Sequence, residues 1–379
     1  MKIGLVSSYM PPHLGGLEQI GETLFQGYAR RGLRVEWIAS CVPSGLPARD
    51  GGRVRVACWN GVERWLGVPV PLWGPEAWRE VERLARWADA LHVLECLYVS
   101  SAMAIAAGRR HGKPVVVSQN IGFIAYRSAV LNAIERLAYG TLGRAVLRRA
   151  SHVVLATPSA KRDVLPMLDG TPASAFPVGI DTERFRPASA DDRARARRPL
   201  GLPAAEPVVL FAGRLVEKKG LPLVVEVARR LDGVRFLVVG DGPLRRLLDG
   251  APANIVWHRA VDPSNMPAVY HAVDGVLLPS HGEGLPLVIQ EAMASGLPCV
   301  VSSDEPYAAD LVAADVCLAA PRGAGAMANA LERALACPDA LPRRARSYAE
   351  VHWSADAMVD RHVALFEELM ATPRVAPPA

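Results

Sequence analysis

The chain lacks several signals that would have classified it quickly. Its six cysteines, at positions 41, 58, 96, 299, 317 and 337 of 379, show no C-x2-C or other metal-ligand spacing. Neither a cysteine-held metal nor a disulfide framework is therefore indicated, and the scatter fits a reducing cytosol. Cys96 and Cys299 lie in apolar surroundings and read as small core residues. Long uncharged apolar runs are also missing. The most apolar long window, residues 90–107, contains His92 and Glu95, so no transmembrane helix is expected. The opening MKIGLVSSYMPP holds one Lys and a four-residue apolar run, too short for a signal peptide and right for a first strand. Beyond Arg193–Arg198 there is no dense basic run and no nucleic-acid motif. The formal net charge of +5 then points to an anionic membrane face or an anionic small substrate rather than nucleic acid. No G-x-G-x-x-G and no Asp-x-Asp is present.

Half the residues are apolar and 21% are charged, a globular balance, and the length suits two domains, each with its own core. Short apolar runs alternate with helical patterns. Strands are expected at Ile3–Val6, Arg34–Ala39, Arg53–Trp59, Leu91–Leu94, Pro114–Ser118 and His152–Ala156. A long helical stretch is expected over Ser128–Arg149. The rhythm restarts with strands at Val208–Ala212, Phe236–Val239 and Ile255–Trp257, and late helices at Gly323–Ala336 and Ser354–Met370. Such alternation predicts α/β folding with parallel doubly wound sheets. Pro187–Pro203, rich in Ala, Arg, Asp and Pro without apolar periodicity, reads as a linker.

The most informative stretch is Pro279–Val301, PSHGEGLPLVIQEAMASGLPCVV. It runs from a strand end through a glycine turn into a helix that Gly296 closes, then into a second strand. Glu283 and Glu291 are eight positions apart, the first in the turn and the second about one helical turn inside. A carboxylate ahead of free helix N-terminal N–H groups forms a pocket for hydroxyls and phosphate. The string Ser280 to Pro298, S-x-x-E-G-x-x-L-x-x-x-E-A-M-A-x-G-x-P, resembles the donor-sugar motif of the family 4 retaining glycosyltransferases. That resemblance implies the GT-B fold: two Rossmann-like, doubly wound parallel-sheet domains facing a central cleft.

Gly213–Gly220 reads GRLVEKKG directly after a strand, and is similar to the family's G-R-L-x-x-x-K-G. The resemblance implies that Arg214 and Lys219 bind the donor diphosphate, whose leaving-group charge fixed cations can stabilise. Lys218 is expected to be solvated. Val239-Gly240-Asp241-Gly242-Pro243 matches the family's V-G-x-G-P turn near the nucleotide. Arg259 falls where the family contacts the base. Glu291 would accept from the ribose hydroxyls. Glu283 and the backbone from Gly284 through Leu285 and Pro286 to Leu287 would grip the sugar, although Pro286 removes one donor the family usually has. Gly15 and Gly16, at the end of the first strand, match the loop that faces the diphosphate from the first domain, with His13 beside them as an acceptor-side candidate.

One departure stands out. After the strand at Pro114–Ser118 many members carry a histidine close to the donor sugar; here Asn120 holds its place. Asparagine can hydrogen-bond a hydroxyl but cannot titrate. Asn120, Phe123, Tyr126 and Arg127 form the expected acceptor side. Gly122–Arg149 combines an apolar set with five arginines against Glu135, a net +4 that suits an anionic membrane presenting a lipid-linked sugar; a core-packed helix with a basic outer face fits the same residues.

Together the resemblance implies an acceptor-binding domain at 1–187, a linker at 188–203, and a nucleotide-sugar domain at 204–353. It implies a final helix within 354–379 that crosses back to the first domain. The expected activity is retaining transfer from a UDP- or GDP-sugar to an acceptor hydroxyl. Arg214, Lys219, Glu283 and Asn120 would be the catalytic set, with no metal or other cofactor. Polysaccharide or glycolipid synthesis, in the cytoplasm and at the inner face of a membrane, would be the setting. Two alternatives stay open: a sugar-nucleotide 2-epimerase of the same fold, and a non-catalytic partner binding donor or lipid.

Overall fold

The computed structural model describes residues 1–13, 15–41, 47–61, 63, 70–123, 128–259, 261–336 and 340–371. The chain forms two units, Met1–Gly179 together with the chain from Ala355, and Ile180–Ser354.

In the first unit the strands are β1 (Lys2–Tyr9), β2 (Arg34–Ser40), β3 (Ala48–Asp50), β4 (Arg53–Val56), β5 (Cys58–Trp59), β6 (Leu72–Trp73), β7 (Ala90–Leu94), β8 (Val115–Gln119), β9 (His152–Leu155) and β10 (Ala173–Ala175). The main sheet has the order β10-β9-β8-β7-β1-β2-β4-β3 and is parallel except where β3 meets β4. β7 and β8 are buried along their whole lengths, as parallel strands covered by helices on both faces must be, which is why they read as continuous apolar runs. The expected strand at 53–59 divides. The Val54/Val56 alternation ends at Ala57, and Cys58–Trp59 leave the sheet to pair with β6. The expected helix at 128–149 is also modified. It starts at Ala129 with Ser128 as its cap, passes through a π-turn at Tyr139–Gly143, and resumes at Arg144–Leu147. Tyr139 is buried there and donates to the carbonyls of Ile121 and Gly122, and the weak helix former Gly140 follows it.

In the second unit the strands are β11 (Val208–Ala212), β12 (Arg235–Val239), β13 (Ile255–His258), β14 (Gly275–Leu278), β15 (Cys299–Ser302) and β16 (Leu318–Ala320), all parallel in the order β13-β12-β11-β14-β15-β16. One core runs through it from Ile180 and Phe185 to Trp353. The chain thus changes units at Ile180, ahead of the expected boundary at 187. The expected linker at 188–203 is not extended either. Ser189 and Asp192 make a capping box for the helix Ala190–Arg197, and the buried Arg197 donates to the carbonyls of Ala272, Pro203, Ala204 and Glu206 and to Asp274. A helix anchored by a saturated guanidinium rather than an apolar stripe leaves no periodicity to read.

The chain leaves the second unit beside its entry, where the Ile180 N–H donates to the Trp353 carbonyl at 2.7 Å. The last helix, Ala355–Ala371, then packs in the first unit against Gly16–Arg30. Arg31 pairs with Asp356 and Asp360 on the outside, and Phe366 meets Tyr28 inside at 6.0 Å.

Candidate active site

Strand order decides where a site can form. In the second unit the chain runs from β11 outward through β12 to β13, then returns to the other side of β11 for β14, β15 and β16. The loops after β11 and β14 therefore diverge at the switch point, where open α/β sheets leave a crevice. Those loops are Gly213–Gly220 and Pro279–Pro286. Gly220 joins them. Its φ is +79°, and a Cβ there would lie 2.3 Å from the Pro279 carbonyl oxygen, so only glycine permits the approach. The His281 N–H donates to the Lys218 carbonyl at 2.8 Å, which closes the pair of loops.

This contact delivers the cations to the carboxylate. Lys219 Nζ lies 3.0 Å and Lys218 Nζ 3.8 Å from Glu283 Oε1. Lys218, expected to be solvated, thus belongs to the cluster, because its carbonyl, bonded to the His281 N–H, holds the residue against the loop that carries Glu283. Burial alone would raise the Glu283 carboxyl, but the two lysines outweigh it and hold the group below its usual range. Burial lowers Lys218. Arg214 is exposed and has no carboxylate at ion-pair distance among the described residues. Pro286 is the cap of the helix Leu287–Ala294, and the N–H groups of Gly284, Leu285 and Leu287 have no acceptor among the described residues. Two or three cations and a row of free N–H groups at one strand edge suit a phosphorylated ligand.

Glu291 is 6% exposed and accepts from the Tyr270 hydroxyl at 2.7 Å. Burial raises its carboxyl to about 7, against the lowering effect of that hydrogen bond and of Arg184. Gly213 and Gly240 end adjacent strands backbone to backbone; a Cβ on Gly240 would fall 1.9 Å from the Gly213 oxygen. Arg259 lies over the Trp257 ring at 5.7 Å and 4.0 Å from Asp241, at the outer end of the same edge.

The first unit has its own switch point between β1 and β7. His13 stacks on Tyr9 at 3.9 Å and bridges two carboxylates, Glu18 through Nδ1 at 2.6 Å and Glu63 through Nε2 at 3.2 Å. Burial disfavours its charged form, but the glutamates outweigh burial and raise its pKa. Gly15 caps the helix that Gly16 begins, and a Cβ on Gly15 would strike the Glu18 carboxylate. Asn120 is 5% exposed at the end of β8; its N–H donates to Glu95 Oε1 at 2.7 Å, and its carbonyl accepts from Thr157. Phe123 meets Tyr139 edge-on at 4.5 Å. Tyr126 and Arg127 lie outside the described residues. Among the described residues no three His, Cys, Asp or Glu side chains are grouped so as to hold a metal ion.

Two family models match the chain, Glycosyltransferase Family 4 over residues 14–184 and Glycosyl transferases group 1 over residues 192–352. The chain belongs to the family 4 glycosyltransferases. Curated relatives of this family 4 chain include the D-inositol 3-phosphate glycosyltransferase of Segniliparus rotundus, 39% identical over 33% of this chain and 30% of that protein. Another, from Mycobacterium bovis, is 34% identical over 42% of this chain and 35% of that protein. The match thus spans about a third of those relatives' length. Among solved structures, a sucrose-phosphate synthase from Thermosynechococcus elongatus aligns with TM-score 0.77 at 19% identity, covering 98% of this chain and 99% of its own. Anabaena HepE in complex with UDP aligns with TM-score 0.74 at 15% identity, covering 97% and 100%. The fold is GT-B.

Two buried carboxylates in this family 4 chain escaped the sequence reading. Glu95, left-handed at φ +70°, receives Asn120 and the Gln119 amide; burial raises it to about 7. Glu305 receives Gly282 and Glu283 and is likewise raised to about 7, chiefly by burial. The available signal was weak: in each case a lone Glu just after a buried strand, aimed at the next loop.

Proposed function

We propose that the chain is a retaining glycosyltransferase moving a sugar from a UDP- or GDP-sugar to an acceptor hydroxyl without a divalent metal. The observation that carries this reading is the pairing of Lys219 with Glu283 across the two switch-point loops, beside Arg214, Lys218 and unsatisfied N–H groups. In the reaction the bond from the anomeric carbon to the β-phosphate oxygen breaks, and its electron pair leaves on the diphosphate. The acceptor oxygen bonds to the same face of the anomeric carbon, and its proton passes to the departing phosphate. Lys219 has three donors, so it can hold Glu283 and a phosphate oxygen together. Arg214, exposed and with no carboxylate partner among the described residues, adds a second cation to the leaving group. Glu283 then accepts from the sugar hydroxyls, Glu291 from the ribose, and Asn120 supplies a non-titrating hydrogen bond on the acceptor side. The UDP bound by HepE and the activity named for the curated relatives support a nucleotide-sugar donor.

The acceptor is lipid-linked on this reading. No helix among the described residues is long and apolar enough to cross a membrane, but Ala129–Ala138 has no buried side chain. Val130, Ile134 and Leu137 are 68%, 56% and 67% exposed along one stripe, with Arg136 and Arg144 exposed nearby. Such a face suits peripheral binding to anionic lipid at the inner surface of a membrane, in polysaccharide or glycolipid synthesis. Failure to sediment with anionic liposomes at low salt would remove the lipid part of the reading.

The donor part is tested by calorimetry with UDP and GDP in the presence of EDTA. Binding of one nucleotide that is weakened in Glu291→Ala and Arg214→Ala, followed by product with the donor's anomeric configuration, is the expected result. A folded protein that binds neither nucleotide removes it.

A further inference from the structure

Glu305 follows β15 and stands at the cap position of the helix Pro306–Ala313, yet its side chain makes no capping bond there. Its carboxylate is turned instead toward the loop after β14. Oε1 accepts the Gly282 N–H at 2.6 Å and Oε2 accepts the Glu283 N–H at 2.8 Å. The residue is 3% exposed. A buried carboxylate diverted from its own helix, with each oxygen committed to a different amide, fixes the backbone of the turn. Gly282, at φ +71°, lies inside that turn, and the Glu283 side chain and the free N–H groups of Gly284, Leu285 and Leu287 issue from it.

We propose that Glu305 is a positioning residue for the donor sugar, its ionised carboxylate holding the Gly282–Glu283 backbone so that Glu283 meets Lys219 and the following N–H groups face the ligand. This rests on the donor reading given above. A neutral acid cannot fill the role, because its O–H would confront one of the two N–H groups. An amide fails for the same reason, and aspartate is one methylene short.

Charge around Glu305 comes from every neighbouring element. Asp304 and Tyr307 flank it on its own segment, and Asp304 is paired with Arg322 at 3.0 Å. Glu283 faces it from the β14 loop and Lys218 from the β11 loop; His281 lies beside Asp304 and Lys218, and Lys219 pairs with Glu283. Burial first, then Glu283 and Asp304, raise the carboxyl to about 7, so the contact is made or lost around neutrality. Above that pH the turn is held; below it one of the two bonds is lost.

The test uses the full chain and two readouts. Hydrogen exchange of the Gly282 and Glu283 amides, corrected for intrinsic rates, is followed in the ligand-free protein at pH 8 and pH 6. Donor kcat/KM is followed from pH 5.5 to 9. Wild-type protein is expected to show protection at pH 8 that falls at pH 6. Glu305→Gln is expected to lose the protection at pH 8, and its donor KM should rise about tenfold with a smaller change in kcat, the cost of one hydrogen bond to a charged group. Glu305→Asp should fall between them and keep a pH-dependent protection, which separates a positioning role from a simple folding defect. Glu291 titrates in the same range, so the acid limb is read as the difference between wild type and Glu305→Gln. Unchanged protection, or an unchanged acid limb, in folded Glu305→Gln overturns the proposal. If the wild-type protein turns over no nucleotide sugar, the donor reading fails by itself, and loss of protection in Glu305→Gln still establishes the hold on the turn.

Discussion

At the switch point of the first unit, Glu18 and Glu63 gather round His13, with Glu95 in the loop of the neighbouring strand. At the equivalent point of the second, Arg214, Lys218 and Lys219 lie in the loop that meets Glu283. The two sheets share the same winding, so topology fixes the place of each site while side chains fix its chemistry. An excess of cations with free N–H groups suits a diphosphate. An excess of carboxylates repels one and can accept hydrogen bonds from hydroxyls. Both units nonetheless use the same supporting device, a buried glutamate near neutrality that grips the backbone of the loop next door: Glu95 for Asn120, Glu305 for Glu283.

The sharpest way to break this contrast is to remove its central cation. Lys219→Ala is expected to lower kcat by about 10²- to 10³-fold, the usual loss when one preorganised stabiliser of a developing negative charge is deleted. His13→Ala, which removes the imidazole bridging Glu18 and Glu63, should leave nucleotide binding within about twofold, because it belongs to a cluster that shares no partner with Lys219 and Glu283 and independent sites couple by a few tenths of a kcal/mol. Turnover by nucleotide release and nucleotide affinity by calorimetry measure the two effects. Equal losses of nucleotide affinity in both variants would mean that the units do not divide the ligands as charge suggests.

A smaller effect sharpens the picture within the second unit. Glu291→Ala is expected to weaken nucleotide affinity about ten- to hundredfold, since hydrogen bonds to a charged group are worth about 1.5–3 kcal/mol. Tyr270→Phe removes only the neutral hydroxyl that supports Glu291, and should weaken binding by a factor of about two to ten. It should also raise the Glu291 carboxyl further, because that hydroxyl is the principal influence opposing burial. A Tyr270→Phe loss as large as that of Glu291→Ala would show that the tyrosine touches the nucleotide itself.

What was legible in the sequence and what was not divide along a physical line. β11 has the bounds expected from its apolar run, and Gly213, Lys219, Glu283 and Glu291 could be placed because each sits at a fixed local offset from a strand end or helix start. Local spacing carries that information. Glu305 and Glu95 were hidden because their partners lie 22 and 25 residues away, on loops brought alongside only by strand pairing. Lys218 was misjudged because its environment depends on Gly220 packing against Pro279, a contact 59 residues apart in sequence. The helix Ala190–Arg197 was read as a linker because its anchor, Arg197, is polar and pairs with Asp274, 77 residues on. Apolar periodicity reports burial by hydrophobic side chains and is silent where a guanidinium does the same work.

The least expected effect concerns stability, and it too separates the units. Four groups in the first form a directed hydrogen-bond chain. His362 Nδ1 must donate to the Met358 carbonyl at 2.9 Å, which leaves its Nε2 to accept from Ser118 at 3.1 Å. Ser118 can then only accept from His92 Nε2 at 2.7 Å, and His92 Nδ1 accepts from Tyr28 at 3.0 Å. Burial lowers both histidines, His362 to about 4, so both rings are neutral near pH 7, the state in which the chain runs in this direction. Unfolded histidines take up protons below about 6.5, so the stability of the Ala355–Ala371 helix contact should fall as pH drops from about 6.5 toward 4. Glu291 and Glu305 act oppositely: raised to about 7, they retain protons that the unfolded chain releases above about 4.5, and so favour folding as pH falls through the same interval. Glu95 offsets part of the histidine effect in the first unit. Hydrogen exchange between pH 7.5 and pH 5, corrected for intrinsic rates, should show the last helix losing protection while β11 and β14 do not. His362→Leu should abolish most of that acid sensitivity. If the helix loses protection equally in His362→Leu, the acid response lies elsewhere in the first unit, and the histidine chain is only packing.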